Sequence, residues 1–79
     1  MNHNEIILNK DNTMTIIGRE AHTLYYKHRV EIDSLRDITF NRYWIYEVDG
    51  TLRAAQSTRA NALNYMTNDN RILVSLNDN

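Results

Sequence analysis

The segment YWIYEVDGTLRAAQSTRANALNYM, residues 43–66, carries the strongest signal for local structure in this chain of 79 residues. A period of two from residue 40 to residue 48 predicts a half-buried strand. One face holds Phe40, Arg42, Trp44, Tyr46 and Val48, and the other holds Asn41, Tyr43, Ile45 and Glu47. Asp49 and Gly50 follow this strand and predict a type I′ hairpin turn, in which both central residues have a positive φ. The return strand is TLRAAQ, and TRANALNYM is a helix for which Ser57 is the expected N-cap.

Three other segments have the composition of strands. EIILN and TMTIIG are β-branched and are separated by KDN, so we expect a second hairpin with Asp11 and Asn12 in its turn. RILVSL predicts the last strand, with alternate apolar residues in phase. Together these segments predict one α+β domain over residues 1–79: a small antiparallel sheet of about five to six strands, with one C-terminal helix packed on one face. Residues 1–4 and 77–79 are expected to be frayed.

The segment HTLYYKHRVEID, residues 22–33, fits two different periods. A period of two gives a strand whose apolar-rich face holds Leu24, Tyr26, His28, Val30 and Ile32. A helix would instead align Leu24, His28, Ile32 and Leu35 at spacings of four and three. The β-branched and aromatic content favours the strand, and the helix is the alternative.

The composition bounds the environment and the partners of the chain. It contains no cysteine and therefore has neither disulfides nor a thiolate zinc site. A secreted domain of this size would usually need disulfides to be stable. We expect a cytoplasmic protein on these grounds. Nine basic and ten acidic residues give a net charge of −1, which makes a nucleic-acid partner less favoured. No apolar run approaches the roughly 20 residues that cross a bilayer, so no membrane partner is predicted.

No residue spacing in the chain is typical of a catalytic, metal or cofactor site. His22 and His28 are six residues apart, which corresponds to about 20 Å on a strand and is too far for one metal ion. The serines lack the glycine-flanked turn that exposes a catalytic nucleophile. Glu31 and Asp33 would share one strand face with basic side chains, which favours a solvated charge ladder over acid–base chemistry. We therefore predict no enzymatic activity, no cofactor and no metal.

Aromatic and arginine side chains are interleaved along the predicted strands. Seven of the nine basic residues are Arg, and Trp, Tyr and Arg are the residue types enriched at binding hot spots. Phe40 and Trp44 are expected in the core, whereas the Tyr side chains on the opposite strand faces are expected to be exposed. The predicted partner-binding residues are Tyr25, Lys27, Arg29, Tyr43 and Arg53.

These features favour a small protein-interaction module that binds a larger protein and modulates it by inhibition. The alternative is a protein that binds single-stranded nucleic acid on a sheet face rich in Tyr and Arg. Its basic contacts would be Lys27, Arg29, Arg42 and Arg53. An exposed strand edge also predicts that the chain pairs with a second copy as a homodimer.

No motif identifies a family in this sequence. In its size, its Asn-rich segments MNHN, KDNT and TNDN, and its lack of Cys and Pro, the chain resembles small phage early proteins. The resemblance implies a viral antagonist of a host enzyme or defence complex, acting in the host cytoplasm.

Overall fold

The computed structural model describes residues 4–67 and 70–77, which form five strands and three short helices. In chain order the elements are β1 Asn4–Asn9, β2 Met14–Ile17, α1 Arg19–Lys27, α2 Arg29–Ser34, β3 Tyr43–Glu47, β4 Leu52–Gln56, α3 Arg59–Leu63 and β5 Arg71–Asn77. A 3₁₀ turn, Leu35–Asp37, follows α2. The strands form one sheet in the order β2-β1-β5-β3-β4, in which β1 and β5 are parallel and the other neighbours are antiparallel.

Helices cover both faces of this sheet and create two cores. The larger core lies under α1 and α2, and its fully buried side chains include Ile6, Leu8, Leu24, Ile32, Tyr46, Ile72 and Val74. The smaller core lies under α3 and consists of Ile45, Ala62, Met66 and Leu73. The predicted α+β class is confirmed, and the predicted C-terminal helix is present on one face as α3, but the sheet also carries α1 and α2 on its other face.

The predicted antiparallel arrangement is confirmed for three of the four strand pairings among the described residues, but the sheet is mixed at its centre. β5 lies between β1 and β3 and runs parallel to β1. Ile72, Leu73 and Val74 are each at most 2% exposed, so the strand is buried on both faces. A continuous apolar run is the pattern of a strand that is covered on both sides. The sequence prediction considered only alternate residues of RILVSL and therefore placed β5 over one core.

α1 and α2 occupy the segment 22–33, so the predicted strand is wrong and the helical alternative is correct. The two helices meet at His28, which has φ −124° and ψ 36° and ends α1. Tyr26 and Val30 belong to the apolar face of the strand interpretation, but both are exposed. The buried side chains follow the helical spacing instead and are Leu24, Tyr25, Ile32 and Leu35.

The predicted hairpin between β3 and β4 is present, but its turn is not type I′. Gly50 has φ 95°, whereas Asp49 does not have a positive φ. The Gly50 N–H donates to the Glu47 carbonyl at 3.0 Å, and the Glu47 N–H donates to the Thr51 carbonyl at 2.8 Å. These bonds define a three-residue loop, a type I turn followed by one residue with positive φ.

The hairpin between β1 and β2 has the same loop geometry and confirms the prediction of a turn at residues 11 and 12. The Asn9 N–H donates to the Thr13 carbonyl at 2.9 Å, and Asn12 has φ 70°. Asp11 Oδ1 accepts a hydrogen bond from the Thr13 N–H at 3.1 Å. Asn adopts positive φ more readily than most residues, so it replaces glycine at this position.

The predicted C-terminal helix is present as α3, with a different cap from the expected one. Thr58 is the N-cap residue, and its hydroxyl oxygen accepts a hydrogen bond from the Asn61 N–H at 3.3 Å. Ser57 precedes it and does not cap the helix. Ser and Thr have similar capping chemistry. Thr58 is the cap because it lies three residues before Asn61, whose N–H is the donor.

The structure also resolves the expected burial and order of several single residues. Trp44 is 2% exposed, which confirms it as a core residue, whereas Phe40 is 76% exposed because it precedes β3. Residues 1–3, 78 and 79 of the predicted frayed ends lie outside the described residues. Asn4 and Asn77 pair within β1 and β5, so these two residues are part of the sheet.

Candidate interaction surface

A close contact joins the helices to the β3–β4 hairpin. His28 lies between α1 and α2, and its ring packs against the backbone of Gly50. A Cβ atom on Gly50 would lie 2.5 Å from His28 Nε2, which is well inside the van der Waals distance. Glycine is therefore favoured here both by the φ of 95° and by the contact. His28 Nε2 is buried and has no hydrogen-bond partner within the described residues, so the ring acts as a packing group.

Two tyrosine hydroxyls hold α2 in place beside this contact. The Tyr46 hydroxyl of β3 donates to Glu31 Oε2 at 3.0 Å, and the Tyr25 hydroxyl of α1 donates to Asp33 Oδ1 at 3.0 Å. Burial raises the pKa of Tyr46, and the hydrogen bond to Glu31 raises it further. Burial and the hydrogen bond to Asp33 also raise the pKa of Tyr25. Both hydroxyls therefore remain protonated donors at neutral pH.

Exposed apolar side chains lie close in the chain to both residues of the His28–Gly50 contact. Seven large apolar residues are exposed in the part of the chain that the structure describes, and four of them lie within two positions of His28 or Gly50. These four are Tyr26 (66% exposed), Val30 (84%), Val48 (49%) and Leu52 (47%). Single exposed apolar residues are common, but a group of them is typical of a binding site. We call residues 26–31 and 48–52 the His28 corner.

Two cationic side chains lie next to these apolar residues along the chain. Lys27 and Arg29 are exposed and form no ion pair within the described residues. Arg53 is half exposed, but its Nε lies 2.8 Å from Glu47 Oε2, which is on the α3 side of the sheet because Glu47 follows Tyr46 and shares a strand face with Ile45. The two acidic residues of the corner already accept hydrogen bonds from the Tyr46 hydroxyl and the Thr51 N–H. The His28 corner therefore presents apolar side chains with cations at their margin.

The structure brings two of the five predicted partner-binding residues, Lys27 and Arg29, into the His28 corner, whereas Arg53 pairs with Glu47 on the α3 side of the sheet. Lys27 and Arg29 lie at the junction of the two helices, and Arg53 lies on β4 just after the hairpin loop. Tyr25 is 4% exposed, so its expected exposure is wrong. Tyr43 is half-buried and packs against the smaller core on the other face of the sheet. Participation of these residues in binding stays a prediction.

The sequence prediction missed the four apolar residues of the His28 corner. The strand interpretation places Tyr26 and Val30 on the core face, where they would be buried. The helical alternative would have predicted that Tyr26 and Val30 are exposed, because it groups the buried residues on one helix face and leaves these two on the other. Val48 and Leu52 flank the hairpin loop, where side chains are commonly exposed.

A concave region lies away from the His28 corner, on the sheet face that α3 leaves partly open. It has a volume of about 400 Å³, and its lining includes Glu5, Tyr43, Arg59 and Ser75. Glu5 Oε2 lies 3.5 Å from Arg59 Nη1 and 3.5 Å from Ser75 Oγ. The carboxylate therefore already compensates the charge of Arg59, and a second cationic side chain, Arg42, also lines this region.

Within residues 4–67 and 70–77, no group of three or more His, Cys, Asp or Glu side chains is placed to hold a metal ion. No helix among these residues is long and apolar enough to cross a membrane. Compared with known protein families, with curated proteins and with solved structures, the chain gives no match. The basis for a functional proposal is therefore the geometry of the His28 corner.

Proposed function

We propose that this protein is an interaction module that docks on a larger protein through the His28 corner and modulates that partner. One observation carries the proposal: four exposed apolar side chains and two cationic ones lie within two positions of His28 or Gly50, which contact each other. An apolar centre with a polar rim that contains Arg is typical of protein interfaces. The proposed role requires no catalytic step and no cofactor.

Burial of the apolar residues would supply the binding energy. Val30 and Leu52 expose large fractions of side chains whose complete burial is worth about 1.5–3 kcal/mol each. Tyr and Arg side chains contribute disproportionately to binding when they are desolvated. Tyr26 and Arg29 therefore have the chemistry of anchors in the His28 corner.

The His28 corner is ordered by contacts that exist without a partner. The packing of His28 on Gly50 joins the helices to the hairpin, and the Tyr46–Glu31 hydrogen bond joins α2 to β3. The ring of Tyr26 stacks on the ring of His22, with centroids 6.2 Å apart and an interplanar angle of 8°. A surface that is ordered before binding loses less conformational entropy on association.

The charges of the His28 corner define the chemistry of the partner. Lys27 and Arg29 form no ion pair within the described residues and flank the apolar side chains. A complementary surface would have an apolar centre bordered by Asp or Glu carboxylates. Complementary charges of this kind increase the association rate and make it sensitive to ionic strength.

Affinity capture with a matched pair of double variants tests the proposed function. Val30→Ser with Leu52→Ser removes two exposed apolar side chains from the His28 corner. Phe40→Ser with Leu63→Ser removes two exposed apolar side chains elsewhere on the surface. Each protein is used as bait in extracts of its native cells, and the captured proteins are quantified by mass spectrometry. We expect at least one protein to bind the parent and the control variant but to lose roughly tenfold or more with the corner variant.

Two results would contradict the proposal. One is equal capture of every partner by the corner variant and the control variant, provided that circular dichroism shows both to be folded. The other is micromolar binding of the parent to a labelled single-stranded oligonucleotide, with an affinity that falls steeply with salt, since that dependence is typical of phosphate contacts. Fluorescence anisotropy at low and moderate salt measures this second outcome.

A further inference from the structure

The two edge strands of the sheet differ in their protection against pairing with another chain. β4 pairs with β3 through an irregular register between Ile45 and Tyr46, and it carries the exposed charge of Arg53. Bulges and charges of this kind block edge-to-edge association. β2 has the uncharged sequence MTII, pairs with β1 in unbroken register and is covered by no described strand on its outer side. Its one protective feature is its length of four residues.

The hydrogen-bonding phase of β2 identifies the groups on its outer edge. Next to the hairpin loop, the Asn9 N–H donates to the Thr13 carbonyl at 2.9 Å. Alternate residues of an antiparallel pair exchange hydrogen bonds with the partner strand, so Thr15 directs its backbone groups to β1. Met14 and Ile16 then direct their N–H and C=O groups away from the sheet, where they are available to a pairing strand.

We propose that β2 pairs with β2 of a second copy of this chain, in antiparallel orientation about a two-fold axis at Thr15. In this register Met14 lies opposite Ile16 of the second copy, which allows about four backbone hydrogen bonds between the copies. Thr15 lies opposite its own counterpart, and a Thr–Thr pair is favourable across neighbouring strands. The two sheets join into one continuous sheet with the self-complementary symmetry of most dimers.

The proposed pairing uses only the extended residues of β2. The hairpin loop precedes the strand, and Gly18, with φ 99°, turns the chain into α1 after it. An axis at Thr15 pairs the whole of β2 with its counterpart, and its uncharged sequence places no like charges opposite each other. Self-pairing of this edge is therefore free of the charge repulsion that protects other edge strands.

The sheet face next to β2 also favours this occupant. α3 covers the part of that face formed by the inner strands and β4, where Ile45 and Leu73 are buried. On the open part of the same face, Ile17 is 47% exposed. In the proposed pairing Ile17 lies beside Thr13 of the second copy, which covers part of this apolar surface.

Sedimentation equilibrium of the purified chain tests the dimer. We expect the mass to rise from monomer to dimer with half-association on the order of 100 µM, which is appropriate for a small interface. Thr15→Lys should raise the dissociation constant by about tenfold or more, because two lysines would oppose each other at the axis. Thr15 is exposed, so circular dichroism should show this variant to be folded. Thr23→Lys, at an exposed position of α1, is the matched control and should dimerise like the parent.

A disulfide crosslink tests the register in this chain, which contains no cysteine of its own. Thr15→Cys should form an intermolecular disulfide under mild oxidation, because the two Cα atoms at the axis would be about 4.5 Å apart, whereas Thr13→Cys should not. Crosslinking of the Thr13→Cys variant but not of the Thr15→Cys variant would overturn the axis at Thr15. A parent chain that stays monomeric at roughly 500 µM, where even weak interfaces associate, would overturn the proposal as a whole. If Leu52→Lys on β4 dissociated the dimer and Thr15→Lys did not, the dimer would form through the β4 edge. That result would also overturn the proposal.

Discussion

At the scale of single residues, two hairpin loops of the protein have one geometry and one local sequence pattern. Asp11 and Asp49 each precede a residue with positive φ, which is Asn12 in the first loop and Gly50 in the second. Each aspartate accepts a hydrogen bond from the N–H of the threonine two positions later. The pattern of Asp, then Asn or Gly, then Thr therefore specifies both loops. The difference between them is His28, which packs only on Gly50.

This difference predicts that Asn is acceptable in one loop and costly in the other. Gly50→Asn should lower the free energy of unfolding by about 1–3 kcal/mol, because the new side chain would overlap the His28 ring. Asn12→Gly should change stability by less than about 1 kcal/mol, because both residues tolerate a positive φ. Chemical denaturation of these variants measures both effects.

The control for this prediction is a double-mutant cycle. His28→Ala removes the ring that Asn would meet at position 50, so Gly50→Asn should cost at least about 0.5 kcal/mol less in the His28→Ala background. Equal costs in the two backgrounds would show that the backbone of the loop, and not the contact, requires glycine.

The loop aspartates also predict a dependence of stability on pH. The hydrogen bonds from Thr13 lower the pKa of Asp11 below its ordinary value of 3.8, and the backbone N–H of Thr51 lowers the pKa of Asp49 in the same way. A lowered pKa in the folded state stabilises the protein above the unfolded-state pKa, and this contribution is lost as the pH falls through the folded-state pKa. Asp11→Asn with Asp49→Asn should therefore flatten the loss of thermal stability below about pH 4. An unchanged slope in thermal melts from pH 7 to pH 2 would exclude these two carboxylates as its source.

At the scale of elements, local turn chemistry made both hairpins predictable from the sequence. The segments EIILN, TLRAAQ and RILVSL all contain strands, and the segment after Ser57 contains a helix. These segments are short and are bounded by Asp, Asn, Gly, Ser or Thr, whose side chains bond locally to the backbone. Such signals do not depend on distant parts of the chain, which is why they could be identified without the structure.

The segment 22–33 was not predictable in this way because its two periods compete. Its β-branched and aromatic residues favour a strand locally, whereas burial of Leu24 and Ile32 against the sheet selects the helix. The parallel position of β5 could not be predicted either, since it depends on where the chain returns after β4. The His28 corner depends on the helical conformation of segment 22–33, so only its cationic residues were identified from the sequence.

The helical structure of segment 22–33 predicts opposite effects on stability for Val30→Asp and Ile32→Asp, whereas a strand would predict the same effect for both. Val30 is 84% exposed and Ile32 is fully buried, although a strand would place both on one face. Ile32→Asp should unfold the domain, because a buried unpaired carboxylate costs several kcal/mol, roughly the whole stability of a small domain. Val30→Asp should leave the fold intact. Circular dichroism and thermal unfolding decide the matter, and loss of structure in both variants would contradict the helical assignment.

At the scale of the whole molecule, the two proposed surfaces lie at opposite margins of the sheet. The His28 corner includes β4, the edge strand at one margin, and the proposed self-association uses β2, the edge strand at the other. A dimer through β2 would therefore present two His28 corners that face away from the dimer axis. Two corners on one assembly would bind a partner that itself has two sites more tightly than one corner would, through a raised effective concentration.

Site-specific photocrosslinking tests most directly whether the His28 corner contacts a partner protein. A photoreactive amino acid is placed at position 30 in one preparation and at position 40 in another, since Val30 and Phe40 are both strongly exposed. Each preparation is irradiated in extracts of the native cells, and the adducts are identified by mass spectrometry. We predict a discrete adduct with one larger protein from position 30 and none with that protein from position 40. Equal crosslinking from both positions, or crosslinking to that protein from position 40 alone, would contradict the assignment of the His28 corner as the docking surface.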